Sequence, residues 1–315
     1  MKEFKFGTYI KKRRKELGIS QEDLCEGLCS VSTLSRLENN QQTPSRSLAR
    51  QLLERLGLPK NRFIALWDQE SISTEALVRE IRCDMIHYFR VQNEERVNLQ
   101  ETIREKLMEL EEIVNPDDKS AQQFLLAHQA LLSSAKGTSG YRKKLDMQLK
   151  AIRLTCPTFD PDNFRHGHYS TDEIRLINQI ARTYYDVGNK KESIDIYYQL
   201  IWNIEKNNKE LAGYASQFCL VSHNYAIVLA LEKRYSDAKD ISEQGRKTCL
   251  EYGRLQYLPG FLAIQAECFF FLGNKEKSKK LYQQAYYMYE ALEDEVNKLI
   301  IRQEIKEHLC LELPE

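Results

Sequence analysis

The chain has 315 residues, 42% of them hydrophobic and 29% charged, with 46 Lys and Arg balancing 46 Asp and Glu. No stretch approaches the roughly 18 consecutive apolar residues of a membrane span. The charged start MKEFKFGTYIKKRRK has no apolar signal core, so no membrane partner and a cytoplasmic location are expected. The net charge of zero conceals an asymmetry: residues 1–66 carry 13 Lys and Arg against 7 Asp and Glu, which leaves an equal acidic surplus for the rest. A small basic head on an acidic body suits a DNA contact confined to one end.

Phe4 to Leu17 is an amphipathic first helix with Phe6, Ile10 and Leu17 inward and the cluster Lys11 to Lys15 mostly outward. Two short helices joined by a tight turn follow between Gln21 and Asn39. Ser20 caps the first, with Asp23 three residues later as an acidic variant of the capping box. Leu24 and Leu28 make its apolar ridge. Ser30 caps the second, in which Val31, Leu34 and Leu37 recur at helical spacing, leaving Ser32, Thr33, Ser35 and Arg36 on the polar side. That is the pattern of a helix-turn-helix, whose second helix offers short polar groups and an Arg to base edges.

The run GISQEDLCEGLCSVSTLSRLENNQQTPS, Gly18 to Ser45, resembles the DNA-binding domain of the Xre (phage repressor) family. The resemblance implies that Gln21 touches a phosphate and that Val31, Ser32 and Arg36 face the major groove, with Ser30, Thr33 and Ser35 beside them. It also implies that Asn39, Gln41 and Thr43 meet the duplex backbone, and that Arg14 and Glu38 form a structural ion pair tying the first helix to the third. Two places depart from the family pattern: Cys25 and Leu28-Cys29 stand where its turn has Ala then Gly, and Asn40 replaces a frequent Gly.

Pro44-Ser45 opens a fourth helix, Leu48 to Leu56, stopped by Gly57 and Pro59. A fifth piece, Asn61 to Trp67, closes the head, and the polar stretch from Gln69 reads as a linker. Beyond it the pattern is helical almost throughout: Glu75 to Phe89, Val97 to Val114, Ala121 to Ser134 and Tyr141 to Leu154, the last two separated by the breaker Lys136 to Gly140. CPTFDPDNFRHGHY, Cys156 to Tyr169, has no period. Ser170 and Glu173 form another capping box.

An internal repeat then starts at Ile180, Tyr225 and Gln265. Small residues recur where paired helices must approach closely: Ala181, Ala226 and Ala266 in the first helix, then Ser193, Ala238 and Ser278 in the second. Gly188, Lys233 and Gly273 take the turn. Tyr184, Leu229 and Phe269 are the large residues at equivalent sites, and Tyr197 and Tyr282 pack in the second helices. These units resemble the tetratricopeptide repeat, and Glu290 to Leu313 reads as a capping helix. The expected fold is all-α: an N-terminal five-helix helix-turn-helix domain (1–68), a linker (69–74), and a right-handed α-solenoid of TPR-like helix pairs (75–315).

Stacked pairs leave a concave groove lined by the first helix of each. By repeat register it presents Arg175, Asn178, Arg182 and Tyr185, then His223 and Ile227, then Glu267, Phe270 and Phe271. Asn178 can clamp a peptide backbone with both donor and acceptor, Arg175 and Arg182 can hold a carboxylate, and the two Phe can form an apolar pocket. Over nearly its full length the chain resembles the Rgg/PlcR-type regulators, and RLTCPTFDPDNFRHGHYSTDEIRLINQIARTYYDVGNKKESI carries that likeness most strongly. The resemblance implies a homodimeric quorum-sensing transcription factor whose repeats bind a short re-imported peptide. The alternative is a regulator whose repeat domain binds a protein partner.

An enzyme is not expected: there is no Gly-rich phosphate loop and no nucleophile paired with a base. Neither cofactor nor metal is expected. The eight Cys form no CxxC pair and read as small buried hydrophobes or, less simply, a redox sensor. His166 and His168 have no second ligand pair near them for zinc.

Overall fold

The computed structural model describes residues 5–58, 69–133, 137–207, 209 and 213–310. Among them are fifteen α-helices and no strand. The fifth head helix expected at Asn61 to Trp67 lies outside the described residues.

In the head, α1 (Phe6–Glu16), α2 (Gln21–Cys25), α3 (Val31–Glu38) and α4 (Arg46–Arg55) enclose Ile10, Leu24, Leu34, Leu37, Leu52, Leu53 and Leu56. The caps form as the sequence implies: Ser20 accepts from the Asp23 N–H, Ser30 from Thr33 and Ser45 from Leu48. The two departures from the Xre pattern have local answers. Gly27, not the Cys25 or Leu28-Cys29 positions, turns the chain, with φ +69°. Asn40 takes φ +57° in place of Gly, and its carboxamide accepts from the Gly7 N–H at 3.0 Å and donates to Thr8 at 2.8 Å. Gly7 is needed there because a Cβ would collide with the Leu37 carbonyl.

The stretch read as a linker is helical. It forms the first turns of α5 (Gln69–Tyr88), since polarity without Gly or Pro does not break a helix. α6 (Asn93–Ile113), α7 (Lys119–Leu132) and α8 (Gly137–Thr155) follow. The breaker before α8 is shorter than its composition suggests: Gly137 enters at φ +65° and residues 138–140 already belong to the helix. Residues 156–170 are irregular, held by an aromatic cluster of Phe159, Phe164 and Tyr169, all buried.

The repeats are α9 (Thr171–Val187) with α10 (Lys190–Asn207), α11 (Tyr214–Leu231) with α12 (Tyr235–Glu251), and α13 (Leu258–Phe271) with α14 (Lys275–Ala291). α15 (Glu295–Leu309) covers the end. Each helix packs on the next, and α9, α11 and α13 also touch in series, forming one layer. Ala181, Ala226, Ala266, Ser193, Ala238 and Ser278 have no exposed surface, because the paired backbones meet there. Ser193 donates to the Ala181 carbonyl at 2.7 Å across that contact. Gly188, Lys233 and Gly273 all turn with positive φ, +104°, +60° and +87°. Tyr197 and Tyr282 are fully buried between pairs.

Head and array meet directly. A Cβ on Gly27 would strike the Thr155 carbonyl at the end of α8, and Thr158 bonds to Glu26. Arg55 of α4 caps the helix-turn-helix, donating to the Leu24 carbonyl at 3.0 Å and the Glu26 carbonyl at 2.7 Å, and pairs with Glu173 of α9 at 3.4 Å.

Substituting Ala226→Leu places extra volume where two backbones touch, and a loss of roughly 1–3 kcal/mol is expected. Urea denaturation of wild type and variant checks this, and an unchanged midpoint would rule out the repeat register.

Candidate DNA-binding face and ligand groove

The exposed side of the head is built around one buried carboxylate. Glu38 receives Arg14 through two bonds of 2.6 and 2.8 Å and the Gln21 carboxamide at 2.8 Å. Burial opposes its charge, but the Arg14 and Gln21 bonds outweigh it and hold the carboxyl below its usual range. This bidentate pair fixes α1 on α3. It also engages Gln21, for which the family resemblance implies a phosphate contact. Val31, Ser32, Arg36, Asn39, Gln41 and Thr43 are exposed around α3, while Thr33 and Ser35 are half-buried. Ser30 is exposed as well, its hydroxyl engaged by the cap and by contacts to Ser32 at 2.8 Å and Thr33 at 2.9 Å. Lys11 bonds Asn39 at 2.9 Å, which brings one residue of the α1 basic cluster onto this face.

In the array, the positions assigned to the groove lie on the α9–α11–α13 layer, and most of them are already engaged by neighbouring side chains. Asn178 is buried, and its carboxamide oxygen accepts from Asn224 of α11 at 3.1 Å. Arg182 pairs with Asp186 at 3.2 Å. Tyr185 donates to Glu232 at 2.8 Å, and Lys190 pairs with the same carboxylate at 2.6 Å. His223 stands edge-on to Phe261 with centroids 5.6 Å apart, and Gly260 lets the helices close because a Cβ would meet the imidazole. Ile227 is half-buried. Phe270 and Phe271 lie edge to face with centroids 5.1 Å apart, Phe270 stacking on His308 at 4.6 Å and Phe271, still exposed, on Tyr235 at 4.4 Å.

A small cleft, open to solvent, lies where α5 and α7 meet the start of α9, lined by Arg82, Phe124, His128, Asp172, Arg175 and Gln179 among others. Asp172 bridges Arg82 at 2.5 Å and Arg175 at 3.4 Å. Burial pushes His128 down to about 4, so it is neutral at pH 7. Its Nδ1 lies 2.8 Å from the Phe124 carbonyl and must donate to it, which leaves Nε2 as an acceptor. The Gln179 carboxamide oxygen is buried without a hydrogen-bond partner. Two guanidiniums, Arg82 and Arg175, flank the Asp172 carboxylate here. Of these residues only Arg175 stood out in the sequence. Arg82 lies beside the apolar stripe of α5, and nothing local signals a partner 90 residues away.

A helix-turn-helix family model matches residues 10–63. The model of the RNPP family C-terminal domain matches residues 100–310, well over half of the chain. The chain belongs to the RNPP family. No curated protein matches its sequence. Among solved structures it is similar to PlcR of Bacillus thuringiensis in complex with the peptide PapR7 and DNA, with TM-score 0.60 and 19% identity over 94% of this chain and 98% of that one. It is also similar to the competence regulator ComR of Streptococcus vestibularis in complex with its signalling peptide XIP, with TM-score 0.52 and 17% identity over 96% and 97%. At these identities the likeness establishes the fold.

At the far end of the groove this RNPP-family chain sets Glu267 of α13 against Glu304 of α15, with Tyr282, Glu307 and His308 around them. Burial and the like charge of Glu267 push Glu304 up to about 7, partly offset by its bond from Tyr282. Between the ordinary carboxyl value of 4.5 and about 7 the folded chain therefore holds a proton that the unfolded chain gives up. This contribution to stability is full below 4.5 and is lost as pH rises through about 7. Glu304→Gln should flatten the fall in melting temperature between pH 5 and 7.5, measured by circular dichroism; parallel curves for the two proteins would contradict it.

Proposed function

We propose that this chain is a transcriptional regulator that binds double-stranded DNA through α3 as a homodimer, gated by a short signalling peptide on the α9–α11–α13 face. Ser32, Thr33, Ser35 and Arg36 read base edges, with Val31 available for a thymine methyl group. Asn39, Gln41 and Thr43 meet phosphates, and Gln21 keeps one amide N–H for the same purpose. On the array, Asn178 and Asn224 offer a paired amide to a peptide backbone. The Arg82–Arg175 cleft takes a carboxylate at one end of the groove. Two relatives of the same fold support the reading: PlcR is seen with a peptide and DNA together, and ComR with a signalling peptide. The exposed Leu299 and Ile300 of α15 supply apolar surface for a second copy.

The observation that carries the gating is the first turn of α9. Asp172 faces the cleft between Arg82 and Arg175, while the next residue, Glu173, holds Arg55 of the head. A ligand that draws those arginines away from Asp172 acts on the same helical turn that docks the helix-turn-helix. It shifts the DNA-competent population only by its differential affinity for the two arrangements.

The deciding experiment measures affinity for DNA from upstream of the chain's own and neighbouring genes, at fixed salt, with and without short peptides encoded nearby. A peptide-dependent change in affinity, lost in Asn178→Ala, is expected. Tight binding indifferent to every peptide would remove the peptide and point to a protein partner. On DNA, Arg36→Ala should lose about 1–3 kcal/mol of discrimination between the specific site and a scrambled one. An equal fall on both sequences would make Arg36 a phosphate contact.

A further inference from the structure

We propose that Cys219 and Cys249 are a latent disulfide, an oxidative modification site that cross-links α11 to α12 and is felt at the groove. Their sulfur atoms lie 3.4 Å apart, across 30 residues of sequence, in adjacent helices of one repeat. Both are free thiols and both are fully buried. A disulfide requires a sulfur separation of about 2.05 Å, so closing the bond asks for a movement of only about 1.4 Å. The rest of their cluster is Phe261, with Tyr257 partly buried against it. Cys219 points toward the Gly245 carbonyl at 3.9 Å, one turn before Cys249 on α12.

The chemistry balances with a peroxide as oxidant. The shared S–H···S contact favours the thiolate at Cys249 and, together with burial, disfavours it at Cys219. The Cys249 thiolate attacks one oxygen of hydrogen peroxide, the O–O bond breaks, and the departing hydroxide leaves as water after taking a proton. Cys249 is then a sulfenic acid. The Cys219 sulfur attacks it, the S–S bond forms, the S–O bond breaks, and a second water carries away the Cys219 proton. Two thiols lose two electrons in all, and one peroxide becomes two waters. Burial slows the first step and leaves it to local opening near the end of α12, three residues beyond Cys249 at Tyr252.

Phe261 transmits the change. It fills the space beside Gly245 so fully that a Cβ there would enter the ring, and the same ring stands edge-on to His223, a groove position on α11. Drawing α12 onto α11 at the sulfurs crowds the ring on the Gly245 side and moves it toward His223. A packed core has no slack to absorb this silently.

The test uses the full chain with no DNA or peptide, so it stands or fails apart from the regulatory reading. The protein is incubated with hydrogen peroxide until the exposed thiols Cys83 and Cys310 are fully oxidised, alkylated, and digested for mass spectrometry. The expected product is a cross-linked pair of peptides carrying Cys219 and Cys249, two hydrogens lighter than the reduced pair and restored by dithiothreitol. A rise of several degrees in melting temperature should accompany it and be absent from Cys219→Ser and Cys249→Ser. Recovery of both cysteines as alkylated thiols under these conditions, or their capture in bonds to other cysteines, overturns the proposal. Cross-linking without any shift of the His223 ring signals in NMR overturns its link to the groove.

Discussion

A guanidinium removed from water on nearly every side stays charged only if its surroundings replace the lost hydration, and Arg55 obtains that replacement from two parts of the chain at once. From the head it takes the Leu24 and Glu26 carbonyls, and from the array the Thr155 carbonyl and the Glu173 carboxylate. Burial opposes the charge on both partners, and their mutual attraction outweighs it, keeping Arg55 and Glu173 ionised. Separating head from array would strand a charge on each side, a cost of the kind that makes one-sided loss of a buried pair expensive. The arrangement is thereby specific as well as tight: few other placements of the head bring both terminal nitrogens of a fixed fork to acceptors from head and array together.

The array owes its regularity to a different constraint. Helices can approach closely only where side chains are small, and the alternation of Ala or Ser at each contact with Tyr197 or Tyr282 between pairs sets both spacing and register. The turns add a second condition, since each must reverse the chain through a left-handed residue. Gly does this freely at 188 and 273. Lys233 accepts the strain of roughly 1–2 kcal/mol because the helices on both sides determine the turn.

Much of this was legible in the sequence because its causes are local. Caps need a Ser and a nearby N–H, so Ser20, Ser30, Ser45 and Ser170 announce their helices. The repeat declares itself through volume at fixed spacing. What stayed hidden depends on partners far apart in the chain. Glu173 reads as the second half of a capping box, which it is, yet its other oxygen faces Arg55 from 118 residues earlier. Arg82 and Asp172, 90 residues apart, meet only because α5 runs past the start of α9. The segment 69–74 misled in the opposite direction, its polarity suggesting a strap where the absence of Gly and Pro gives a helix. The ring partners of Phe270 and Phe271 were hidden for the same reason, since only the tertiary fold brings His308 and Tyr235 against them.

The first turn of α9 joins these strands of argument. Successive helical residues point about 100° apart, so Asp172 and Glu173 face different neighbours while sharing one backbone. Ser170 fixes that backbone, because its hydroxyl and N–H are both bonded to Glu173. One acid of this turn lies in a solvent-open cleft and the next in a closed interface, so under the proposed gating a change of partner on one side would have to be carried by this backbone to the other. Softening the turn would absorb the change instead. Linkage makes the coupling reciprocal: were a ligand in the cleft to shift the head's affinity for DNA, DNA on the head would shift the cleft's affinity for that ligand by the same factor.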